Sequence, residues 1–201
     1  MLVNMPVDFD AETHTYRVKG AYLPSVTQIM EPMSLTLYKG VPYDALNNAA
    51  DRGSRAHEQV SNYVNYGLLE TDEDTEQYLS AYVKFEKDYC PAWAGSEYRV
   101  YHRTLRYAGT LDLIGFVTPD DGGGYDIVDI KCTRVYHPVM LATQLGGYAE
   151  ALKSHGIKIR NRYGLQLLND GTYRFERVGD GYKTFLCCLT IYNEMIKEKR
   201  A

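Results

Sequence analysis

The sequence predicts an α+β domain in which a central mixed β-sheet is flanked by helices. Segments with helical and strand patterns occur in blocks: two helices, three strands, a helix, two strands and a final helix. Turn-forming stretches, TPDDGGG at 118–124 and NDG at 169–171, join neighbouring strands into antiparallel hairpins. Blocks of helices and strands in this order are typical of α+β domains rather than of alternating α/β folds.

The length and composition predict one domain over residues 1–201. Of the 201 residues, 45% are hydrophobic and 24% are charged, as in globular proteins. No apolar run approaches the roughly 20 residues that cross a bilayer, so we expect no membrane association. The first residues, MLVNMPVDFDAETH, lack a basic start followed by an apolar stretch. We therefore expect no secretory signal and a cytoplasmic protein.

Charge and cysteine content exclude some classes of function. The net charge of -4 disfavours a protein that coats nucleic acid, because Lys and Arg supply most non-specific affinity for phosphates. Basic residues nevertheless cluster at 99–106 and 153–162, which is compatible with a local basic groove. The cysteines form neither a C-x-x-C pair nor a Cys/His cluster, which disfavours zinc and a disulfide framework. They are Cys90, Cys132, Cys187 and Cys188.

Residues 1–45 are predicted to form a lead-in to a larger core at 46–201. The lead-in contains a hairpin over Lys19 and Gly20 and a short helix that begins at Pro24 and Ser25. The elements predicted after it are helices over 43–66 and 72–89, strands over 97–103, 107–117 and 125–131, a helix over 138–154, a hairpin of 162–168 with 172–178, and a helix over 182–199.

Two charges interrupt the apolar strand at 125–131. Asp129 and Lys131 lie two residues apart, and successive side chains of a strand point to opposite faces, so both lie on one face. Taken alone, such a pair is explained by a salt bridge on a solvated strand face, because short motifs are weak signals. Only their neighbours in the sheet can give them a further role.

The predicted register of the hairpin brings acidic side chains together. A turn centred on DDGG places Ile114 opposite Ile127, Asp112 opposite Asp129, and Lys131 opposite Thr110. Two carboxylates that face each other across a strand pair, with Cβ atoms about 5 Å apart, destabilise a sheet unless a cation lies between them.

A third carboxylate extends this acidic row. The tight connection at RTLR places Glu97 opposite Asp112. Carboxylate oxygens are ligands that suit magnesium or manganese. The row therefore predicts a divalent cation site formed by neighbouring strands.

Four short motifs occur in a fixed order: RGSRAHEQV at 52–60, GTLD at 109–112, DIK at 129–131 and QLGGY at 144–148. Their order and spacing resemble those of the RecB-like exonuclease branch of the PD-(D/E)xK nuclease superfamily, in which a G-S/T-x-x-H stretch supplies a histidine, here His57. The resemblance covers roughly residues 52–148, and the following hairpin and closing helix are also similar to the family. It implies a restriction-endonuclease-like core over 46–201.

The resemblance implies a role for each motif residue. Asp112 and Asp129 would be the main metal ligands, with His57 and the backbone carbonyl of Ile130 completing the set. Lys131 would position or deprotonate the attacking water, and Glu97 would support the site from outside the metal ligands. The candidate substrate-binding residues are Gln144, Tyr148, Gly109 and Thr110. Gly109, without a side chain, would leave room for close approach of a nucleic-acid strand.

The function implied by the resemblance is a Mg²⁺- or Mn²⁺-dependent DNA exonuclease that acts on DNA ends or single strands. Such enzymes serve recombination, repair or phage DNA processing, in the cytoplasm of a bacterial or phage-infected cell. A structure-selective endonuclease and a non-catalytic nucleic-acid-binding module are the alternatives. Intact Asp112, Asp129 and Lys131 disfavour the module.

Two sequence features bear on cofactors and partners. Some members of this branch bind an iron–sulfur cluster through four cysteines, but the required spacing is absent here, so we expect no cluster. The sequence also lacks a G-x-x-x-x-G-K-S/T motif, so DNA unwinding would need another protein. A separate helicase or recombinase could act beside this chain, and the sequence indicates no oligomeric state.

Overall fold

The computed structural model of the chain describes residue 2, residues 4–119 and residues 122–198. In these ranges the elements are β1 (Asp8–Asp10), β2 (Thr15–Val18), β3 (Ala21–Leu23), α1 (Val26–Ile29), α2 (Glu31–Leu37), α3 (Tyr43–Tyr66), α4 (Glu76–Tyr89), β4 (Ala92–Tyr101), β5 (Ala108–Phe116), β6 (Tyr125–Lys131), α5 (Pro138–Lys153), β7 (Ile159–Leu167), β8 (Tyr173–Arg177) and α6 (Tyr182–Glu198).

The centre of the fold is a five-stranded sheet in the order β4-β5-β6-β7-β8. Neighbouring strands are antiparallel except β6 and β7, which are parallel. A parallel pair needs a long crossover connection, and α5 supplies it between these two strands. The predicted class, α+β with a central mixed sheet flanked by helices, is confirmed.

Both faces of the central sheet are covered by helices. On one face, Ile127 of β6 packs in a cluster with Leu145 of α5 and Phe185 of α6. On the other face, Val128 packs with Val60 of α3. Adjacent residues of β6 therefore pack against helices on opposite faces of the sheet, as the alternation of side chains along a strand requires. The sheet is apolar on both sides; among the charged residues of β6, Asp129 and Lys131 lie near one end of the strand and Asp126 near the other.

The lead-in forms a small sheet of its own, in the order β1-β2-β3. Its predicted hairpin turn is confirmed: Lys19 and Gly20 have φ values of 52° and 76°, the positive values that a tight two-residue hairpin turn needs. The lead-in is tied to the core because the Ala108 N–H donates to the Pro24 carbonyl at 2.9 Å.

Helix α1 begins where the sequence predicts. The hydroxyl of Ser25 accepts a hydrogen bond from the Gln28 N–H at 2.9 Å, and the Gln28 side chain accepts one from the Ser25 N–H at 2.9 Å. This reciprocal capping satisfies two backbone donors that the first helical turn would otherwise leave unpaired.

Several predicted boundaries are wrong by a few residues. Strand β4 begins at Ala92 rather than at residue 97, because a bulge between Trp93 and Gly95 and several small residues hide its alternating pattern. Helix α4 begins at Glu76 rather than at Asp72, because residues 73–75 form a turn in which the Asp72 carbonyl accepts the N–H groups of both Thr75 and Glu76. The predicted end of the last helix at Lys199 and the turn residues Asp120 and Asp121 lie outside the described residues.

The register between β5 and β6 is correct in its middle and wrong at the end. Ile114 pairs with Ile127 as predicted, but the ladder runs only from Leu113 to Gly115 on β5. The predicted pairs Asp112–Asp129 and Thr110–Lys131 are not formed in the described strands. The reason is local: the Asp112 carboxylate accepts the Ile130 N–H at 2.5 Å, so a side chain replaces a ladder bond. Thr110 pairs with Arg99 of β4 instead, and Lys131 with Gln166 of β7.

Among the described helices, none combines the length and the apolar composition that a membrane crossing requires.

Candidate metal centre

The candidate site lies where β5 and β6 separate. Asp112 occupies the gap between the two strands, with one carboxylate oxygen on the Ile130 N–H. Its other oxygen lies 3.3 Å from Nδ1 of His57, which α3 brings over the sheet. The histidine and the aspartate, 55 residues apart in sequence, are therefore direct neighbours.

Glu97 approaches Asp112 from the other side, on β4. The flanking pairs Ser96–Leu113 and Tyr98–Leu111 place Glu97 across from Asp112, so this part of the predicted register is confirmed. Glu97 has a φ of 48°, a left-handed value that is uncommon for a residue other than glycine. Backbone strain of this kind is found preferentially at functional sites, where it directs a side chain.

His57, Glu97 and Asp112 form a compact cluster of donor atoms. One nitrogen or oxygen from each residue lies within 4.8 Å of the other two. A set of one imidazole and two carboxylates suits manganese or magnesium better than it suits soft metals. The residues present therefore fit the divalent cation that the sequence predicts.

The acidic and imidazole groups of the cluster shift one another's pKa values. Desolvation and the negative charge of Asp112 raise the pKa of Glu97 to about 7, although its side chain reaches the surface. Burial lowers the pKa of His57, but the adjacent Asp112 outweighs burial and holds it well above its usual value. Glu97 and His57 therefore hold their protons to a higher pH than such groups usually do. A bound cation takes the place of such protons.

Asp129 lies beside the cluster and not within it. It is 1% exposed, and its Oδ2 is 2.5 Å from Nζ of Lys131, on the same strand face as predicted. This oxygen accepts no well-formed hydrogen bond from any described residue. Burial raises the pKa of Asp129, and the ammonium of Lys131 only partly offsets that effect. At Oδ2 this buried carboxylate already faces the ammonium of Lys131, with which it forms a buried ion pair.

Two consecutive hydrogen bonds connect Lys131 to residues of α5. Its Nζ donates to Oε1 of Gln144 at 3.1 Å, and Nε2 of Gln144 donates to the hydroxyl of Tyr148 at 3.4 Å. Burial alone would lower the pKa of Lys131, but Asp129 and Asp112 raise it above its usual value. Lys131 is therefore a positive charge held between Asp129 and Gln144.

Gly109 and Thr110 occupy interior positions close to Tyr148 and the lead-in. A Cβ on Gly109 would lie 2.7 Å from Cε1 of Tyr148, so the space above this glycine is filled by that ring. The hydroxyl of Thr110 hydrogen-bonds with the hydroxyl of Tyr16 at 2.9 Å. The structure therefore brings Gly109 against protein, where the sequence suggested room for a nucleic-acid strand.

A polar groove next to Glu97 was not foreseen. Its volume is about 410 Å³, and it is bounded by β4, by Asn65 of α3 and by residues near the amino terminus. Arg99 lies in this groove with its guanidinium 5.5 Å from the ring centre of Phe9 in β1. Three segments distant in sequence form it, so no local pattern could have revealed it. The one available signal was the basic cluster at 99–106.

Comparison with known proteins gives remote structural similarity only. No model of a protein family matches the chain, and no curated protein matches it. Similar solved structures include the alkaline exonuclease LHK-Exo from Laribacter hongkongensis, at 12% identity and a TM-score of 0.36 over 88% of this chain and 92% of that one. LHK-Exo in complex with dAMP gives 13% identity and a TM-score of 0.39, over 89% and 93% of the two chains.

A third similar structure is that of SSO0001, at 13% identity and a TM-score of 0.38, covering 86% of this chain and 83% of that one. Similarity of this degree does not transfer a function. The interpretation of the site depends on the residues of this chain.

Proposed function

We propose that this protein is a Mg²⁺- or Mn²⁺-dependent deoxyribonuclease of the PD-(D/E)xK type, of the RecB-like branch, that degrades DNA from ends or single strands. The observation that supports it is the position of the His57, Glu97 and Asp112 cluster directly beside the buried Asp129–Lys131 pair. Metal-binding carboxylates next to a fixed lysine are the groups that phosphodiester hydrolysis needs.

Each residue has a defined task in this proposal. His57, Glu97 and Asp112 would hold the cation, and Asp129 and the Ile130 carbonyl are the further candidate ligands that the resemblance implies. The cation would supply Lewis acidity toward a phosphate oxygen and acidify a water molecule. Several of these groups are carboxylates whose mutual repulsion a cation relieves.

Lys131 would act on the phosphate and on the attacking water. Lys131 would offset the negative charge that develops on the phosphate, and it would position the attacking water or accept its proton. Gln144 fixes the Lys131 ammonium through its Oε1, so Gln144 is a positioning residue.

The substrate proposal rests on charge and shape. A chain with a net charge of -4 has little general attraction for duplex DNA, so productive binding depends on a few contacts near the site. The groove beside Glu97, with Arg99 in it, provides such contacts for a strand that enters from an end. We place the activity in recombination, repair or phage DNA processing in the cytoplasm, beside a separate helicase or recombinase where unwinding is needed.

A time course on two DNA substrates tests this function. End-labelled linear DNA and covalently closed circular duplex are incubated with the protein at matched magnesium or manganese concentration. The proposal predicts early release of short products from the linear DNA, persistence of the circle, and slower reaction at higher salt. Rapid nicking of the circle would indicate an endonuclease. Binding of both substrates without cleavage in either metal would indicate a non-catalytic module.

A further inference from the structure

An exposed apolar surface lies where the segment after α2 meets the start of α5. The two segments, residues 35–43 and 134–139, meet because the rings of Tyr38 and His137 lie 5.7 Å apart in an edge-to-face contact. We call them together the Tyr38–His137 surface. A group of exposed apolar side chains, unlike single ones, marks a place for binding. Those at least 40% exposed are Leu35, Leu37, Val41, Tyr43, Val135 and Val139.

The second segment is anchored to the protein, so the exposure of its side chains belongs to a fixed part of the fold. Nε2 of Gln166 donates to the Thr133 carbonyl at 2.7 Å, and the Thr133 hydroxyl donates to the Val135 carbonyl at 3.0 Å. The ring of Tyr136 packs against the core and lies 5.2 Å from the guanidinium of Arg174. Val135 nevertheless remains 62% exposed between these anchored residues.

The Tyr38–His137 surface borders the metal centre on the side of β6. Its second segment follows directly after Lys131 at the end of that strand. Burial lowers the pKa of Lys131, whereas Asp129 and, to a smaller extent, Tyr38 raise it, so Tyr38 lies within electrostatic range of the ammonium. The groove beside Glu97 lies on the other side, because β5 separates β4 from β6. A DNA strand that leaves the groove and crosses the metal centre would therefore reach this surface.

The charge of the surface is positive, although the whole chain has a net charge of -4. Neither LTLYKGVPY at 35–43 nor RVYHPV at 134–139 contains an acidic residue. Lys39 and Arg134 are exposed and form no ion pair within the described part of the chain. Cations beside aromatic and aliphatic side chains are the combination that binds single-stranded nucleic acid, because the cations attract phosphates and the rings stack on bases.

We propose that the Tyr38–His137 surface binds unpaired nucleotides of the DNA strand that enters the metal centre. The rings of Tyr38 and His137 would contact the bases. Lys39 and Arg134 would contact the phosphates on either side. A duplex offers its phosphates here but not the faces of its bases, so the surface favours single strands. The proposal specifies the substrate of the metal centre and, for the path of the strand, rests on the proposed function.

Binding of a labelled 20-nucleotide single strand tests the role of Tyr38 without any cleavage. Affinity is measured by fluorescence anisotropy in EDTA over a range of salt concentrations. Tyr38→Leu removes the aromatic face and is expected to bind about fivefold or more weakly, with an unchanged salt slope. Tyr38→Phe keeps the ring and should bind as wild type does. Tyr22→Leu is the matched control, because Tyr22 is an exposed tyrosine on β3, outside both segments.

The same assay separates contacts to bases from contacts to phosphates. Lys39→Gln and Arg134→Gln should each weaken binding and lower the salt slope by about 0.7, because each removes one phosphate contact. A 20-nucleotide strand without bases gives the complementary test. Wild type should bind it more weakly than the normal strand, and Tyr38→Leu should cause no additional loss on it.

Crosslinking of the wild-type protein keeps the proposal testable if Tyr38→Leu does not fold. A single strand that carries 5-iodouracil is irradiated with the protein in EDTA, and the crosslinked peptides are identified by mass spectrometry. The proposal predicts crosslinks within 35–43 or 134–139. Crosslinks confined to other segments would contradict it.

Equal binding of the normal strand by wild type and Tyr38→Leu overturns the proposal and leaves the surface to a protein partner. A loss in Tyr38→Leu that is just as large on the strand without bases also overturns it, because no base is then involved. Failure of the nuclease is distinguishable from failure of this surface. Binding that depends on Tyr38 without cleavage in magnesium or manganese refutes only the nuclease, and cleavage with binding independent of Tyr38 refutes only the surface.

Discussion

Tyr148 of α5 packs its ring directly on the backbone of Gly109 in β5. A Cβ at position 109 would lie 2.7 Å from Cε1 of that ring, closer than real Cβ contacts come. The hydroxyl of Tyr148 also accepts the hydrogen bond from Gln144, which holds Lys131. Because Gly109 has no side chain, Tyr148 can pack against β5, and this contact places α5 where Gln144 positions Lys131.

Gly109→Ala is expected to lower the free energy of unfolding by about 1–3 kcal/mol, because the added methyl group overpacks the interface with Tyr148. Urea unfolding measures the change. Gly53→Ala is the matched control, since nothing lies within 4 Å of a Cβ at Gly53. The relationship also predicts that Tyr148→Leu makes Gly109→Ala less costly than it is in wild type. Equal costs in both backgrounds would refute the contact as the cause.

Divalent cation is expected to raise the melting temperature through the His57, Glu97 and Asp112 cluster, by about 5–10 °C at about 100 times the dissociation constant. Glu97→Gln should reduce this rise and, in EDTA, should not lower the melting temperature, because repulsion from Asp112 is removed. Asp112→Ala should reduce the rise as well. Differential scanning fluorimetry with manganese and magnesium measures both effects.

Glu58→Gln is the control for the metal experiment. Glu58 adjoins His57 in sequence but is exposed on α3, outside the donor cluster. Its metal-induced rise should equal that of wild type. An equal rise in Asp112→Ala would place the cation elsewhere. The same measurement on Asp129→Asn shows whether Asp129 joins the ligand set, as the sequence predicts.

Lys131→Met is expected to reduce DNA hydrolysis by about 100-fold or more, the loss expected when one electrostatic group is removed. Metal-induced stabilisation should persist, because Lys131 is not a ligand. Gln144→Leu should give a smaller loss, since the ammonium remains but is no longer held at its position. Single-turnover cleavage of end-labelled DNA measures the rates, with Lys153→Met as the control on the surface of α5. Activity within a factor of two of wild type would remove Lys131 from the mechanism.

Asp126 is expected to govern stability in acid. It accepts hydrogen bonds from the Val117 N–H, Arg160 and Asn161, at 2.6–3.0 Å. Burial raises its pKa, but these donors outweigh burial and hold the pKa below the usual 3.8. A lowered pKa means that the stabilisation is present above about pH 4 and is lost as the pH falls through the native value.

Asp126→Asn therefore has two expected effects. At pH 7 it should cost about 3–5 kcal/mol of unfolding free energy, because Arg160 loses the buried carboxylate of its ion pair. Between about pH 5 and pH 3 the variant should lose less stability than wild type does, because the titrating group is gone. Chemical denaturation at both pH values measures this. Parallel losses in the two proteins would assign the acid sensitivity to other carboxylates.

The sequence by itself determined the elements and much of the strand pairing. Period-two and helical patterns report which residues share a face, and turn residues report where strands reverse; both are local properties. For that reason the hairpin at Lys19 and Gly20, the pair Ile114–Ile127, and the approach of Glu97 to Asp112 could be predicted. The common face of Asp129 and Lys131 follows from the same rule.

Only the tertiary structure decided how these residues are paired and packed. The strands β5 and β6 separate where the Asp112 carboxylate accepts the Ile130 N–H. The alternating pattern of a strand does not predict such a side-chain bond. The ring that fills the space over Gly109 comes from a helix 39 residues away, and the contact between Tyr38 and His137 joins two segments that are distant in sequence. Such features arise from close packing and charge desolvation between distant segments, and those energies exist only when the chain is folded.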